Sequence, residues 1–174
     1  MSNNETSVRT KILVAIDDSI PAQWALKVAA SFATRLNTDI VLLTVIPSPE
    51  VVGAEVVFAG TALDYHSRLQ QEAQLLLRNA HNSLPPTVPC ETIVREGIAP
   101  GEILSVAHER NVDLIVLGSR GRNRFAQFVL GSTAEAVIGK APCPVLTIAN
   151  EPTCCESAPA SKDSSSSRLA NVAK

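Results

Sequence analysis

Asp113-Leu114-Ile115-Val116-Leu117-Gly118-Ser119-Arg120-Gly121, followed after nine residues by Gly131-Ser132-Thr133, is the stretch on which the fold turns. Asp113 to Leu117 is a short apolar run closed by glycine, the pattern of a buried strand. A glycine at a strand's exit lets the backbone turn sharply and lets a ligand come close, because no Cβ stands in the way. The second glycine, followed by two hydroxyl residues, opens the next helical stretch. There the unpaired N–H groups and the helix dipole favour an anion. Strand, glycine loop and Gly-Ser helix start form a phosphate-holding arrangement typical of a parallel α/β sheet. Two ordinary turns joined by a loop give the same residues, since short glycine patterns recur by chance.

Outward from this stretch, strands and helices alternate. Lys11 to Ile16 is a first strand, and Asp17-Asp18-Ser19 leads into a helix that runs to Leu36. Ser19 suits the N-cap and Pro21 the first turn. Trp24, Ala25, Val28, Ala29, Phe32 and Ala33 recur at helical spacing as its expected buried face. Asp39 to Ile46 is a second strand, and Pro47 to Gly60 a longer connection. Thr61 to Leu84 carries a stripe of Leu69, Ala73, Leu76, Leu77, Ala80 and Leu84, ended by Pro85-Pro86. Cys90 to Arg95 is a third strand, Gly97 to Pro100 a turn, and Gly101 to Arg110 a short helix. Asp113 to Leu117 is the fourth strand, Ser132 to Lys140 a helix and Pro144 to Ala149 the fifth strand. Alternation of this kind implies right-handed crossovers and a parallel sheet with helices on both faces. The strands read as continuous apolar runs, which burial on both faces requires. No internal repeat occurs. Residues 1–7 are expected to be disordered and residues 8–150 to form one domain. From Glu151 the composition turns to Ser, Pro, Ala and Lys, including Ser164-Ser165-Ser166-Ser167, so residues 151–174 read as a disordered tail.

The chain has 174 residues, enough for one domain with a sizeable core, and a formal net charge of −2. That balance leaves no basic footprint for nucleic acid and no polybasic patch for a membrane. Aromatic residues make up 3%, too few for a base-stacking platform. No apolar run approaches the ~20 residues of a membrane span, and Met1 to Thr10 lacks the apolar core of a signal peptide. A cytoplasmic protein is expected. The four cysteines, Cys90, Cys143, Cys154 and Cys155, show no metal-like or redox spacing.

Ligands of open α/β sheets sit beyond the carboxyl ends of the strands, where strand order reverses. That places Asp17, Val45-Ile46 and the glycine loop among the candidates. Asp17 suits a ribose or a divalent metal; helix-start chemistry beside Ser19 accounts for Asp17 or Asp18 without any ligand and is the simpler reading of the residues alone. Arg120, Arg122 and Arg124 offer forked donors to phosphate, or are a solvated loop. Ser132 and Thr133 are hydroxyls at a helix start, where a plain cap is the alternative. No Walker A pattern and no G-x-G-x-x-G after the first strand occurs. His66 and His81 fall within the Thr61 to Leu84 helix and His108 in the next helical stretch, all read as surface residues without metal-like spacing, and no nucleophile elbow is present. No catalytic residue is assigned.

These residues resemble the universal stress protein family across residues 9–149. Lys11 to Ser19 is similar to that family's opening strand and acidic turn, and Val41 to Val45 to its second strand. Gly97 to Leu104 resembles its third strand-to-helix turn, and Asp113 to Gly121 and Ala141 to Leu146 its most recognisable pieces. The ATP-binding class of the family is marked by G-x2-G-x9-G-[ST], present here as Gly118, Gly121, Gly131 and Ser132. The resemblance implies a five-stranded parallel sheet of order 3-2-1-4-5 and a homodimer paired through the last strand. It also implies an ATP site, with Mg²⁺ as companion: Ala15 and Val45 along the adenine, Asp17 at the ribose or the metal, and Gly118, Gly121, Gly131, Ser132 and Thr133 at ribose and phosphates through backbone N–H groups. The expected function is nucleotide-dependent regulation in a stress response. A slow ATPase and a nucleotide-free dimeric interaction module are the alternatives. The Pro47 to Gly60 connection and the tail with Cys154 and Cys155 do not follow the family pattern.

Overall fold

The computed structural model describes residues 9–48, 62–119 and 130–151, and backbone alone for 62–64. Residues 1–7 and 152–174 of the expected disordered termini, most of the Pro47 to Gly60 connection, Gly121, the three loop arginines and Cys154 and Cys155 lie outside the described residues. Within them the chain runs β1 (Lys11–Ala15), α1 (Ile20–Leu36), β2 (Asp39–Ile46), α2 (Ala62–Asn82), β3 (Cys90–Glu96), α3 (Ala99–Glu109), β4 (Leu114–Gly118), α4 (Ser132–Ile138) and β5 (Val145–Ile148). The five strands form one sheet in the order β3-β2-β1-β4-β5, with every pairing parallel.

Alternation along the strands divides the core in two. Ile12, Val14, Ile40, Leu42 and Val116 face α1 and α2, while Leu13, Val41, Leu43, Ile115 and Leu117 face α3 and α4. Buried carbon on both sides of β1, β2 and β4 accounts for their unbroken aliphatic sequences. The edge strand β3 departs from that expectation. It exposes Glu91 and Glu96, and Arg95 is half-buried. Arg110 forks onto Glu91, with Nη2–Oε1 at 2.8 Å, and Arg95 pairs with Glu109. Exposed pairs of this kind contribute little to stability, because water and salt screen them. Their larger consequence is a charged edge that resists pairing with another strand.

Helix α1 starts as the sequence indicates. Ser19 is its N-cap, with Oγ accepting from the Ala22 N–H at 3.3 Å, and Asn37 closes it in the left-handed conformation at φ 52°. Its buried seam, however, is alanine: Ala22, Ala25, Ala29 and Ala33 are 0–2% exposed, with Val28 beside them. Trp24 and Phe32 sit half-buried at the margin. Small residues let the helix axis come close to the sheet, and bulkier side chains then fit only beside the contact. Helix α2 buries Ala73, Leu77 and Ala80 of its expected stripe, with Leu84 just beyond it. Helix α3 begins at Ala99, two residues before the expected start, because Pro100 occupies its first turn.

At the amino edge of the sheet, Asp113 Oδ2 accepts the Lys11 N–H at 2.8 Å, and the Asp113 N–H donates to Lys11 O at 2.9 Å. That clamp sets the register of β1 against β4. The carboxyl edge is thereby aligned on the opposite side, where the strand exits converge.

Candidate functional site

Strand order reverses at β1, which has β2 on one side and β4 on the other. Chains leaving β1 and β4 part to opposite faces there, and a crevice opens between them. A cleft of about 980 Å³ occupies this position. Ala15 and Asp17 enter it from β1, Val45 from β2, Gly118 and Ser119 from β4, and Gly131, Ser132 and Thr133 from the start of α4. Every candidate residue within the described part of the chain therefore meets the same space.

The β1 exit is held by two hydrogen bonds. The Ile16 N–H donates to Leu43 O at 2.9 Å, and Thr44 Oγ1 donates to Ile16 O at 2.9 Å. Thr44 is 5% exposed, so this bond satisfies a hydroxyl that lies inside an otherwise aliphatic strand. With Ile16 fixed on both sides, the next residue is aimed. Asp17 Oδ1 accepts the Ser19 N–H at 3.0 Å, the helix-start role that competed with a ligand role in the sequence. The carboxylate serves the turn through one oxygen and still lines the cleft through its half-buried surface.

Gly118 closes β4 under the first turn of α1. A Cβ built there would lie 2.9 Å from the Ala22 nitrogen and from the carbonyl carbon and Cβ of Pro21. Packing of α1 alone demands glycine at this position, in addition to any approach by a ligand. Ser119 follows, and its backbone is fully engaged: the N–H donates to Ile148 O at 2.8 Å and the carbonyl accepts the Gly131 N–H at 2.7 Å. The Gly131 N–H is thus used within the protein. Helix α4 has no side-chain cap, and its first intrahelical bond runs from the Glu135 N–H to Gly131 O. By helix geometry the N–H groups of Ser132, Thr133 and Ala134 are left without intrahelical acceptors.

Three polar residues among the described ones are buried: Thr38, Thr44 and Ser119. Thr38 Oγ1 meets Thr10 Oγ1 at 2.9 Å and Thr44 has its carbonyl, but Ser119 Oγ has no hydrogen-bond partner. A buried hydroxyl left unpaired costs about 1–3 kcal/mol. Sequence reasoning missed both Thr44 and Ser119. A hydroxyl within an apolar run was the available signal for the first; the second stood at an unspecified position of the glycine pattern.

Among the described residues no group of three His, Cys, Asp or Glu side chains is placed to hold a metal ion. Burial pushes the Cys90 thiol up to about 11, so it stays protonated at neutral pH, and burial also raises Cys143. His81 and His108 are exposed, whereas His66 is half-buried with Nε2 3.1 Å from Glu96 Oε2. Gln70 and then His66 hold the Glu96 carboxyl below its ordinary range. No helix among the described residues is long and apolar enough to cross a membrane.

Residues 9–149 match the model of the universal stress protein family. A protein of Staphylococcus aureus (strain USA300) that carries the universal stress protein name is 32% identical over 145 residues, covering 80% of this chain and 84% of that one. Among solved structures, the protein MJ0577 superposes with a TM-score of 0.71 at 30% identity, over 83% of this chain and 98% of its own. Two more distant structures share the fold. A universal stress protein in complex with cAMP has a TM-score of 0.61 at 20% identity, over 81% of this chain and 97% of that one. One from Archaeoglobus fulgidus in complex with dAMP has a TM-score of 0.55 at 22% identity, over 81% and 98%.

Proposed function

The chain belongs to the universal stress protein family, and we propose that it is a cytoplasmic, ATP-binding member that regulates through nucleotide occupancy as a homodimer. One observation carries the reading: Asp17, Val45, Gly118, Gly131, Ser132 and Thr133 converge on a single cleft at the point where strand order reverses. Apolar contact from Ala15 and Val45 suits an adenine ring, and Asp17 suits ribose hydroxyls. The orphaned Ser119 hydroxyl and the uncapped start of α4 fit a ligand rich in acceptors. The wider pattern fits as well, since the cAMP and dAMP complexes of the same fold carry adenine nucleotides. Mg²⁺ at such a site needs one carboxylate, for which Asp17 is the candidate, together with phosphate oxygens supplied by the nucleotide.

Calorimetric titration with ATP, ADP, AMP and cyclic AMP, with and without Mg²⁺, tests the ligand class. ATP is expected to bind most tightly, and more tightly with Mg²⁺ present. No heat with any of the four would refute the assignment.

For the dimer, the supporting feature is β5. Val145 to Ile148 is the sheet's edge on the α4 side, half-buried throughout and without the charged residues that guard β3. Edges of this kind are paired or covered in stable proteins, and the same strand of a second chain pairs about a two-fold axis. Light scattering at micromolar concentration should return the mass of two chains; a single-chain mass would count against pairing at β5.

A further inference from the structure

The hydrogen bonds around β2 show which neighbour each of its residues serves. The Asp39 N–H donates to Thr10 O and Leu43 O accepts the Ile16 N–H, both at 2.9 Å, so odd-numbered residues of β2 turn their backbone groups to β1. Even-numbered residues turn to β3, where the Ile40 N–H donates to Pro89 O and Ile46 O accepts the Gly97 N–H. By this alternation the next rung toward β1 would carry the Val45 N–H to Ile16 O. Among the described residues that rung is not made, and β1–β2 pairing ends at Ala15 opposite Leu43. Ile16 is only 6% exposed, so its carbonyl still needs a donor. Thr44 Oγ1 supplies it at 2.9 Å. Thr44 alternates in register with Ile40, Leu42 and Ile46, so its hydroxyl draws the carbonyl toward their face of the sheet and away from the Val45 N–H. Ile16 and Val45 both line the cleft.

We infer that Thr44 is a positioning residue: by occupying Ile16 O it keeps the last β1–β2 rung open and spares the Val45 N–H as a donor to the base of the bound nucleotide. This role rests on the nucleotide reading above and adds to it a residue that acts through the backbone of its neighbours. Two donors compete for one buried carbonyl, the Thr44 hydroxyl and the Val45 N–H. Without the hydroxyl only the N–H is left, and bonding it closes the rung where the base would lie. A polar side chain inside an otherwise aliphatic strand thus sets how far the two strands zip together at the cleft.

The test compares the full chain with Thr44→Val, which keeps the shape and removes the hydroxyl, and with Thr44→Ser, which keeps the hydroxyl. Amide hydrogen exchange followed by NMR reads the rung directly. Without nucleotide, the Val45 amide of the natural chain and of Thr44→Ser should exchange about a hundred-fold faster than in Thr44→Val, where Ile16 O becomes its acceptor. Affinity for ATP and for adenosine should fall about ten-fold in Thr44→Val, by the same factor for both because the contact is at the base. Thr44→Ser should recover most of it. A Val45 amide in the nucleotide-free natural chain that exchanges as slowly as its β2 neighbours would overturn the inference without recourse to any variant, and leave the nucleotide site standing. Unchanged affinity in Thr44→Val, or a loss confined to ATP, would overturn it as well. Absence of binding of both ATP and adenosine by the natural chain would instead remove the nucleotide reading, and the role of Thr44 with it.

Discussion

Gly118→Ala should destabilise the nucleotide-free protein by about 1–3 kcal/mol, the usual cost of forcing extra volume into a packed interior. The added Cβ would lie 2.9 Å from three atoms of Pro21 and Ala22, two of them backbone. Those atoms belong to the first turn of α1, whose alanine seam already lies close against the sheet, so no flexible side chain can move aside. Relief requires the helix start to lift. Asp17 and the Ser19 cap would then shift with it, since Asp17 Oδ1 holds the Ser19 N–H. A thermal melt without nucleotide should show a midpoint about 3–10 °C lower, and nucleotide affinity should fall as a consequence. An unchanged midpoint would mean that α1 yields easily and that Gly118 is glycine for the ligand alone. The larger Gly118→Val should worsen the melt further, which separates steric pressure from any local effect of losing glycine.

Most of the fold was legible because its determinants are local. The apolar runs of β1, β2 and β4, the Ser19 cap and the α2 stripe each follow from burial or capping within a few residues. What depended on approach between elements was less visible. Close packing of α1 displaced Trp24 and Phe32 from the seam in favour of alanines, and no periodicity distinguishes the two arrangements. Strand β3 looked apolar enough for burial, yet its place at the sheet's edge left Glu91 in solvent with Arg110 as its partner, and Glu96 in solvent beside Gln70 and His66 of α2.

The candidate site divides in the same way. Glycines were visible because their lack of a Cβ is itself the signal. The hydroxyls of Thr44 and Ser119 were not, because Ser and Thr bond backbone, side chain or ligand equally well, and only three-dimensional position decides among these. Thr44 proved to fix the β1 exit, and Ser119 to stand unpaired in the cleft. Asp17 combined both of its possible readings, holding the turn while lining the cleft.

Gly131→Val should behave opposite to Gly118→Ala, with the fold retained and nucleotide binding lost. Gly131 has φ −67° and ψ 147°, extended backbone that valine adopts without strain. Its N–H bond to Ser119 O at 2.7 Å uses the backbone and survives the substitution. As N-cap it contributes no side-chain bond, so exchanging it for a weak capping residue costs less than about 1 kcal/mol. Binding is another matter. Gly131 forms the cleft wall between Ser119 and the first turn of α4, where the phosphates would pass. A Cβ with two methyl groups would occupy that path. Forcing them against a ligand at about 2.7 kcal/mol, within the usual range for overpacking, is a loss of about a hundred-fold in affinity. Gly131→Ala, with a single added carbon, should fall between. Thermal melts with and without ATP check both halves: the midpoint without nucleotide should stay within a few degrees of the natural chain, and its rise with ATP should disappear. A Gly131→Val protein that melts normally and is stabilised by ATP as before would place the phosphates elsewhere. Normal melting with no response to ATP, beside a Gly118→Ala protein that melts early, would assign the two glycines different work: Gly118 seats the helix, and Gly131 leaves room for the ligand.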